Sequence, residues 1–445
     1  MKRNFLKGVM LMAMLLVSVN VWAYDFEVDG LYYEINTDED LTCAVSGNDD
    51  YVGELVIPET VENDGVIYTV TAIQSSAFVG NTAVTKVTIP ATLISVGDDA
   101  FTGCSNITEV IFEDSDEVLS LGYSDMYYAI FKDAAIERVY IGRNMSFGFS
   151  PIKEQTSLTT AEIGELITSI DNNLFWECSA LTSITIPDNV KTIGSRAFAR
   201  CTSLSEIDFG TGVSSIGVFA FTACDGLVEL VIPDNVTFID EWAFSSCANL
   251  TTVRLSSTME TISNYMFYFS SKLANVTIPE GITSIDGTSF YNCAEIKSIT
   301  LPSTMSAIGA NNFQGCEKIV EVYAKNPTPS MNVGANFESD IYANATLYVP
   351  IGSLELYKVA NDWCDFENIV ESDFSGVESV TSDNIKFVVT ANQLDIKGAE
   401  ADAEIVIYSM NGTIVYKGID KVITLPNNGV YIVKIATGKV FKVLI

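Results

Sequence analysis

The chain has 445 residues, with 57 acidic against 24 basic side chains, no histidine and a net charge of −33 at pH 7. That charge excludes nucleic acid as a partner, since phosphate binding needs a basic stripe, and the length is too great for one compact core. The missing histidine removes the commonest general base, the Ser-His and Cys-His nucleophile pairs and the commonest zinc ligand. Nothing singles out two carboxylates as a glycosidase-type pair. No enzyme activity, catalytic residue, metal or cofactor is therefore expected. The acidic surface would keep the protein soluble and attract basic partners.

Lys2, Arg3 and Lys7 precede an apolar run over 9–19, and Val21-Trp22-Ala23 follows as a small-residue cleavage pattern. This reads as a secretory signal peptide over 1–23, its apolar run too short for a membrane anchor. No later run approaches spanning length, so the mature chain is expected to start near Tyr24, outside the cell and without a transmembrane span. Residues 24–66 read as an N-terminal cap. Phe26, Val28, Leu31, Tyr33 and Ile35 alternate as in a strand, a turn falls at 47–50, and 52–58 already has the pattern of a repeat unit.

From 67 to 324 the chain repeats itself. Phe175, Phe198, Phe221, Phe244, Phe267, Phe290 and Phe313 are spaced by 23 residues, and a fixed period of this size marks a solenoid. Phe78, Phe101, Phe131 and Ile152 extend the series to eleven rungs, and Phe337 opens a remnant inside a C-terminal cap over 325–371. Within one rung, Leu181, Ile184 and Ile186 are predicted to point inward with Ser183 and Thr185 outward. Pro187 ends the strand because it has no amide to donate, Asp188-Asn189 turns the chain, and Val190 and Ile193 begin the return. The fold class is mainly β, a parallel-sheet solenoid about 50 Å long at roughly 4.8 Å per rung.

Seven cysteines occupy one repeat position, three residues after the anchor: Cys104, Cys178, Cys201, Cys224, Cys247, Cys293 and Cys316, with Ser270 in another rung. Side chains at one position of adjacent rungs lie about 4.8 Å apart with parallel Cβ vectors, whereas a disulfide wants converging Cβ atoms roughly 3.5–4.5 Å apart. A column of buried thiols is expected, with disulfides the alternative. The phenylalanine and cysteine columns are read as core.

The period fails between Phe101 and Ile152, where the spacings are 30 and 21 residues. The extra segment carries an acidic run over 113–117 and then Tyr123, Met126, Tyr127 and Tyr128; Phe147 and Phe149 follow in the next rung. Such departures map to loops, often on the binding side, although a tolerant surface loop drifts in the same way. The acidic run lacks a glycine-bearing calcium loop and reads as a solvated loop. Outward strand positions supply the remaining candidate ligand contacts: Glu206, Asp208, Glu229, Arg254, Glu321 and Tyr323. This face is polar and mildly acidic with few aromatic or arginine anchors, so it is either a binding surface or a solvated sheet face.

Residues 372–384 read as a polar linker, and 385–445 as a small antiparallel β-sandwich with a hairpin signal at Asn411-Gly412.

The repeat Ile-x-Ile-Pro-x-x-Val-x-x-Ile-x-x-x-Ala-Phe-x-x-Cys-x-x-Leu resembles that of the BspA-like leucine-rich-repeat family, over about residues 24–371 with both caps. The C-terminal stretch, with Ile-Tyr-Ser-Met-Asn-Gly and Leu-Pro-Asn-Asn-Gly-Val-Tyr-Ile-Val-Lys-Ile, resembles the sorting domain of type IX secretion cargo; an accessory immunoglobulin-like domain is the alternative. These resemblances imply a cell-surface protein that binds host or microbial proteins or glycans and meets an export machinery through its C-terminal domain. A structural component of the cell envelope without a soluble ligand is the second reading.

Overall fold

The computed structural model describes residues 24–374 except 38, 123–129, 148–149 and 333, and beyond these 377–380, 386–390, 393–397, 405–409, 414–425, 430–435 and 440–444. The segment 1–23, Tyr123, Met126, Tyr127, Tyr128 and Phe149 lie outside the described residues. Each rung spends its residues on three sides. One side is a strand such as Ser183–Thr185, the second a two-residue strand such as Thr192–Ile193, and the third a succession of turns. Leu181, Ile184, Ile186, Val190 and Ile193 are buried while Ser183 and Thr185 are exposed. Proline shapes the corner after the longer strand. The carbonyl of Pro187 accepts from the Val190 amide at 3.1 Å, and that of Pro233 from Val236 at 3.0 Å. Aspartates at the same corner tie rungs together: Asp188 Oδ1 accepts from the Thr211 amide at 2.7 Å, which holds its carboxyl below the usual range.

The longer strands pair in parallel at one-rung intervals, for example Ser183 opposite Glu206. The ladder begins at Gly53–Val56, within the segment read as a cap, and with three interruptions reaches Thr346–Pro350 and Asn368–Ser372. The short strands form a second parallel ladder from Ser95–Val96 to Met331–Asn332, with interruptions.

The turn side has its own hydrogen bonds. The amides of Asn173, Phe175 and Glu177 donate to the carbonyls of Ser195, Ala197 and Ala199 at 2.9, 2.8 and 2.8 Å. One rung later Arg196, Phe198 and Arg200 donate likewise to Val218, Ala220 and Thr222. The outer two of each triplet are left-handed, with φ of 60° and 60° and then 55° and 61°. That alternation turns all three amides toward the following rung, so backbone groups on this side are satisfied without a strand.

Inside, the anchors form a column. Phe198 stacks on Phe175 at 5.2 Å and on Phe221 at 5.1 Å, and all three are fully buried. Each such ring stabilises by about 1.5–3 kcal/mol through burial, with roughly 0.5–1.5 kcal/mol more per aromatic pair. The cysteine column is reduced and does more than fill space. Cys201 Sγ lies 3.1 Å from the Phe175 carbonyl oxygen, Cys224 Sγ 3.2 Å from that of Phe198, and Ser270 Oγ repeats the contact to Phe244 at 3.2 Å. Where Gln155 holds this position its amide reaches the Phe131 carbonyl at 3.2 Å.

At the N-terminal end, Phe26–Val28, Leu31–Thr37 and Thr42–Gly47 form an antiparallel meander, and the last of these pairs in parallel with Val66–Ile73. Gly47 has φ 104°, and a Cβ there would sit 1.7 Å from the Ala77 carbonyl oxygen, so only glycine lets the cap close on the first rung. At the C-terminal end, helices Ser339–Asn344 and Leu354–Tyr357 and the buried Trp363 cover the last rung. Buried Asp362 accepts from Asn332 Nδ2 at 2.9 Å, Asn336 Nδ2 at 3.1 Å, the Asn336 amide at 3.3 Å and the Tyr342 hydroxyl.

The C-terminal region forms two four-stranded antiparallel sheets. Leu394, Ile396 and Ile423 of one and Ile405, Ile407 and Val433 of the other are buried. Val377–Val380 lies within the stretch read as linker, yet it pairs with Lys386–Thr390. Its two valines flank Glu378 and Ser379, and the short polar stretch conceals a four-residue strand. The connection shrinks to 373–376.

Candidate functional site

Among the described residues the longer-strand ladder is interrupted before Ser183–Thr185, Glu229–Val231 and Ser298–Leu301, and a cleft lies at the first of these breaks. Thr159 donates its amide to the Glu137 carbonyl at 3.0 Å and Ser205 to Thr182 at 2.9 Å, but among the described residues no such bond joins Thr182 to Thr159. The strands Thr160–Ile163 and Ser183–Thr185 belong to separate sheets. Between them lies an open cleft of about 820 Å³. Ala161 and Ile163, inward positions on the first strand, are only half-buried there. The cleft follows directly on the irregular region where one rung has gained residues and the next has lost two.

The lining is built from four rungs. Asp114 enters from the acidic run, Tyr140 from Arg138–Ile141, and Glu162 and Glu165 from the next rung; Thr160 and Ser183 add hydroxyls. The Tyr140 hydroxyl donates to Asp114 Oδ1 at 2.6 Å. That bond, with burial and the charges of Asp114, Glu162 and Glu165, pushes the phenol up to about 12. Tyr140 therefore keeps its proton and acts as a fixed donor, not a base. Gly142 makes room for this contact, because a Cβ on it would lie 2.4 Å from Asp114 Oδ1. Ser115 is turned away, its hydroxyl 3.3 Å from the Ala91 carbonyl oxygen. Among the described residues no three carboxylate or thiol side chains are grouped to hold a metal ion.

The cationic side chains of this face are largely engaged. Glu109 sits between Lys86 Nζ at 3.1 Å and Arg138 Nη2 at 2.9 Å, and these partners hold its carboxyl below the usual range. Arg254 lies 3.9 Å from Asp234. What the cleft offers is a set of acceptors, suited to a ligand rich in hydrogen-bond donors: ammonium, guanidinium or hydroxyl groups.

The candidates read from sequence do not converge on one point. Glu206, Asp208 and Glu229 stand exposed further along the ladder, and Glu321 and Tyr323 lie near its far end, where Tyr323 stacks on Tyr348 at 4.7 Å. Phe147 is half-buried against the core. The residues that meet in the cleft include Tyr140, which sequence reasoning missed along with its neighbour Arg138. The signal was there: 137–141 reads Glu-Arg-Val-Tyr-Ile, with Val139 and Ile141 as the inward pair. Fixing the register on Phe131 displaces that rung by one residue.

Comparison with known proteins gives three results. A model of the BspA type leucine rich repeat region matches over residues 71–204, 153–267 and 191–320, together more than half of the chain. No curated protein matches. Among solved structures, a leucine-rich repeat protein from Bacteroides ovatus is 22% identical, covering 79% of this chain and 100% of its own, with a TM-score of 0.49. A leucine rich cell surface protein from Faecalibacterium prausnitzii is 23% identical over 67% of this chain and 93% of its own, with a TM-score of 0.35. The pneumococcal vaccine antigen PcpA is 15% identical over 78% and 98%, with a TM-score of 0.39.

Proposed function

The chain belongs to the BspA-type leucine-rich-repeat family, and from that premise we propose that it is an exported cell-surface protein that binds a protein or glycan ligand rather than an enzyme. The observation that carries the reading is the acceptor-lined cleft at the splayed rung, with Asp114, Tyr140, Glu162 and Glu165 around it. A rigid stack holds these groups at fixed positions, so a ligand is met without an ordering cost in the receptor. Its net charge favours basic partners over acidic ones. The apolar run of 9–19 would start export, and the C-terminal sheets from 377 onward would serve as the sorting domain.

The test is binding of the purified mature chain to immobilised extracellular-matrix proteins and mucin glycans, alongside Asp114→Asn, Tyr140→Phe and Glu162→Gln variants. Saturable binding weakened about tenfold or more by the double carboxylate change supports the cleft, since charge-assisted hydrogen bonds contribute roughly 1.5–3 kcal/mol each. Binding unaffected by all three places the site elsewhere, and absence of any binding favours an envelope component. Deleting 377–445 should trap the protein in the periplasm; unchanged surface display would remove the sorting role.

A further inference from the structure

One contiguous group of six aromatic rings on the turn side is used by neither the core nor the cleft. Phe219, Trp242 and Tyr265 recur at 23-residue spacing, each two residues before a buried anchor. All three are left-handed, with φ of 58°, 62° and 58°. Asn173, Thr288 and Asn311 fill the same place in other rungs, and a bulky ring there is a conformational outlier that points to a use. Ring centroids are 5.5 Å apart between Phe219 and Trp242 and 4.0 Å between Trp242 and Tyr265, with nearly parallel planes. Tyr268 stands across the edges of Trp242 and Tyr265 at 5.1 and 5.6 Å and stacks on Tyr291 at 5.4 Å. Phe269 leans on Tyr268 and Tyr291 and is 44% exposed; the other five are half-buried.

The chain itself shows what this column accepts. The Arg196 guanidinium lies over Phe219, 5.0 Å from the ring centre, and closes one end. At the other end the next rung offers only Thr288, so the Tyr265 face turned that way has no cation from this chain in the repeat position. Asp240 and Glu241 precede Trp242, and Asp286 precedes Thr288; none has an ion-pair partner among the described residues. Burial, with the nearby charge of Glu241, raises the Asp286 carboxyl. A sugar platform is disfavoured, because Phe219 and Trp242 already have both faces covered.

We propose that this ridge docks an arginine-bearing segment of a partner protein, a guanidinium taking on Tyr265 the place that Arg196 takes on Phe219, with Glu241 and Asp286 as its counter-charges. The surface is separate from the cleft, lies on another side of the rung and does not depend on the cleft being occupied. Arginine is selected over lysine because a planar guanidinium stacks on a ring while its edge donates to carboxylates.

The experiment compares the full mature chain binding an oligo-arginine peptide, an oligolysine of equal length and a neutral cello-oligosaccharide, in salt high enough to screen long-range charge. The wild type should prefer oligo-arginine by about two- to fivefold per ring engaged. Trp242→Asn and Tyr265→Asn should abolish that preference and leave oligolysine binding unchanged. Asparagine tolerates left-handed backbone, so both variants should fold, with unchanged melting as the check. Asp114→Asn and Glu162→Gln in the cleft should leave the preference intact, which separates the two surfaces. Equal affinity for the two peptides, a preference that survives both substitutions, or oligosaccharide binding lost with them would each overturn the proposal.

Discussion

Arg143 is the most demanding side chain in the solenoid. It is fully buried, and its guanidinium reaches backbone carbonyls from two other rungs: Glu117 at 2.8 and 3.1 Å, Pro90 at 3.2 Å and Ala91 at 3.1 Å. Burial lowers its pKa, so the charge is held at a cost. Pro90 O also accepts from the Leu93 amide and Ala91 O from Ser115, whereas among the described residues Glu117 O has only Arg143. Arg143→Met therefore orphans one carbonyl, about 1–3 kcal/mol, and part of that is offset because no charge remains buried. Arg143→Lys keeps the charge but cannot span both sets of carbonyls, and an under-satisfied buried charge costs about 3–5 kcal/mol. The order of stability should be wild type, then methionine, then lysine, against the usual ranking of conservative changes. Hydrogen exchange reads this locally, at the amides of Leu119 and Ser120, which donate to Asn144 and Ile94 at 3.0 and 2.9 Å. Each 1.4 kcal/mol should speed their exchange about tenfold. Lysine protecting these amides better than methionine would refute the reasoning.

Two further outcomes follow from buried titratable groups. Burial pushes Cys201, Cys247 and Cys316 up to about 12 and Cys43 and Cys104 to about 11, and raises Cys178, Cys224 and Cys293 as well, while Cys364 is exposed. A thiol-reactive dye at pH 8 should label Cys364 alone in the native protein and all nine cysteines after denaturation; a second native equivalent would contradict a closed column. Asp171 is pushed by burial from 3.8 to about 6. The folded state then holds its proton more tightly than the unfolded one, so this group lowers stability as pH rises from 3.8 through about 6. Asp171→Asn should stabilise at pH 7 and lose that advantage below 3.8; an equal gain at both ends would point to another cause.

The period was legible because most rungs spend a phenylalanine and a cysteine on the same buried points, and a stack tolerates few substitutes there. The cleft was not, because it lies where the count fails: Ala134 replaces the thiol after Phe131, and the outward pair Arg138 and Tyr140 slips by one. The aromatic ridge lay in plain view at 219, 242 and 265 but on the turn side, which strand alternation does not score. Nor does residue type announce left-handed backbone there, since phenylalanine, tryptophan and tyrosine are poor candidates for positive φ. The strand Val377–Val380 was hidden for a simpler reason, its shortness among serines and acids.

The one-way hydrogen bonds of the turn side have an electrical consequence. With three amides per rung all directed toward the next rung, their peptide dipoles add along the solenoid axis as they do along a helix, positive toward the C-terminal end. The last donors of that array are the amides of Gly315, Asn336 and Phe337. They meet Glu338 Oε1 at 3.2 Å, Asp362 Oδ1 at 3.3 Å and the Tyr342 hydroxyl at 3.2 Å. Asp362 is thus to the whole stack what an N-cap carboxylate is to a helix, a buried anion at the positive pole. It also acts as a terminator: a further rung would have to displace a charge from those donors, whereas a chain cut before 362 would present them bare to the carbonyl end of another copy.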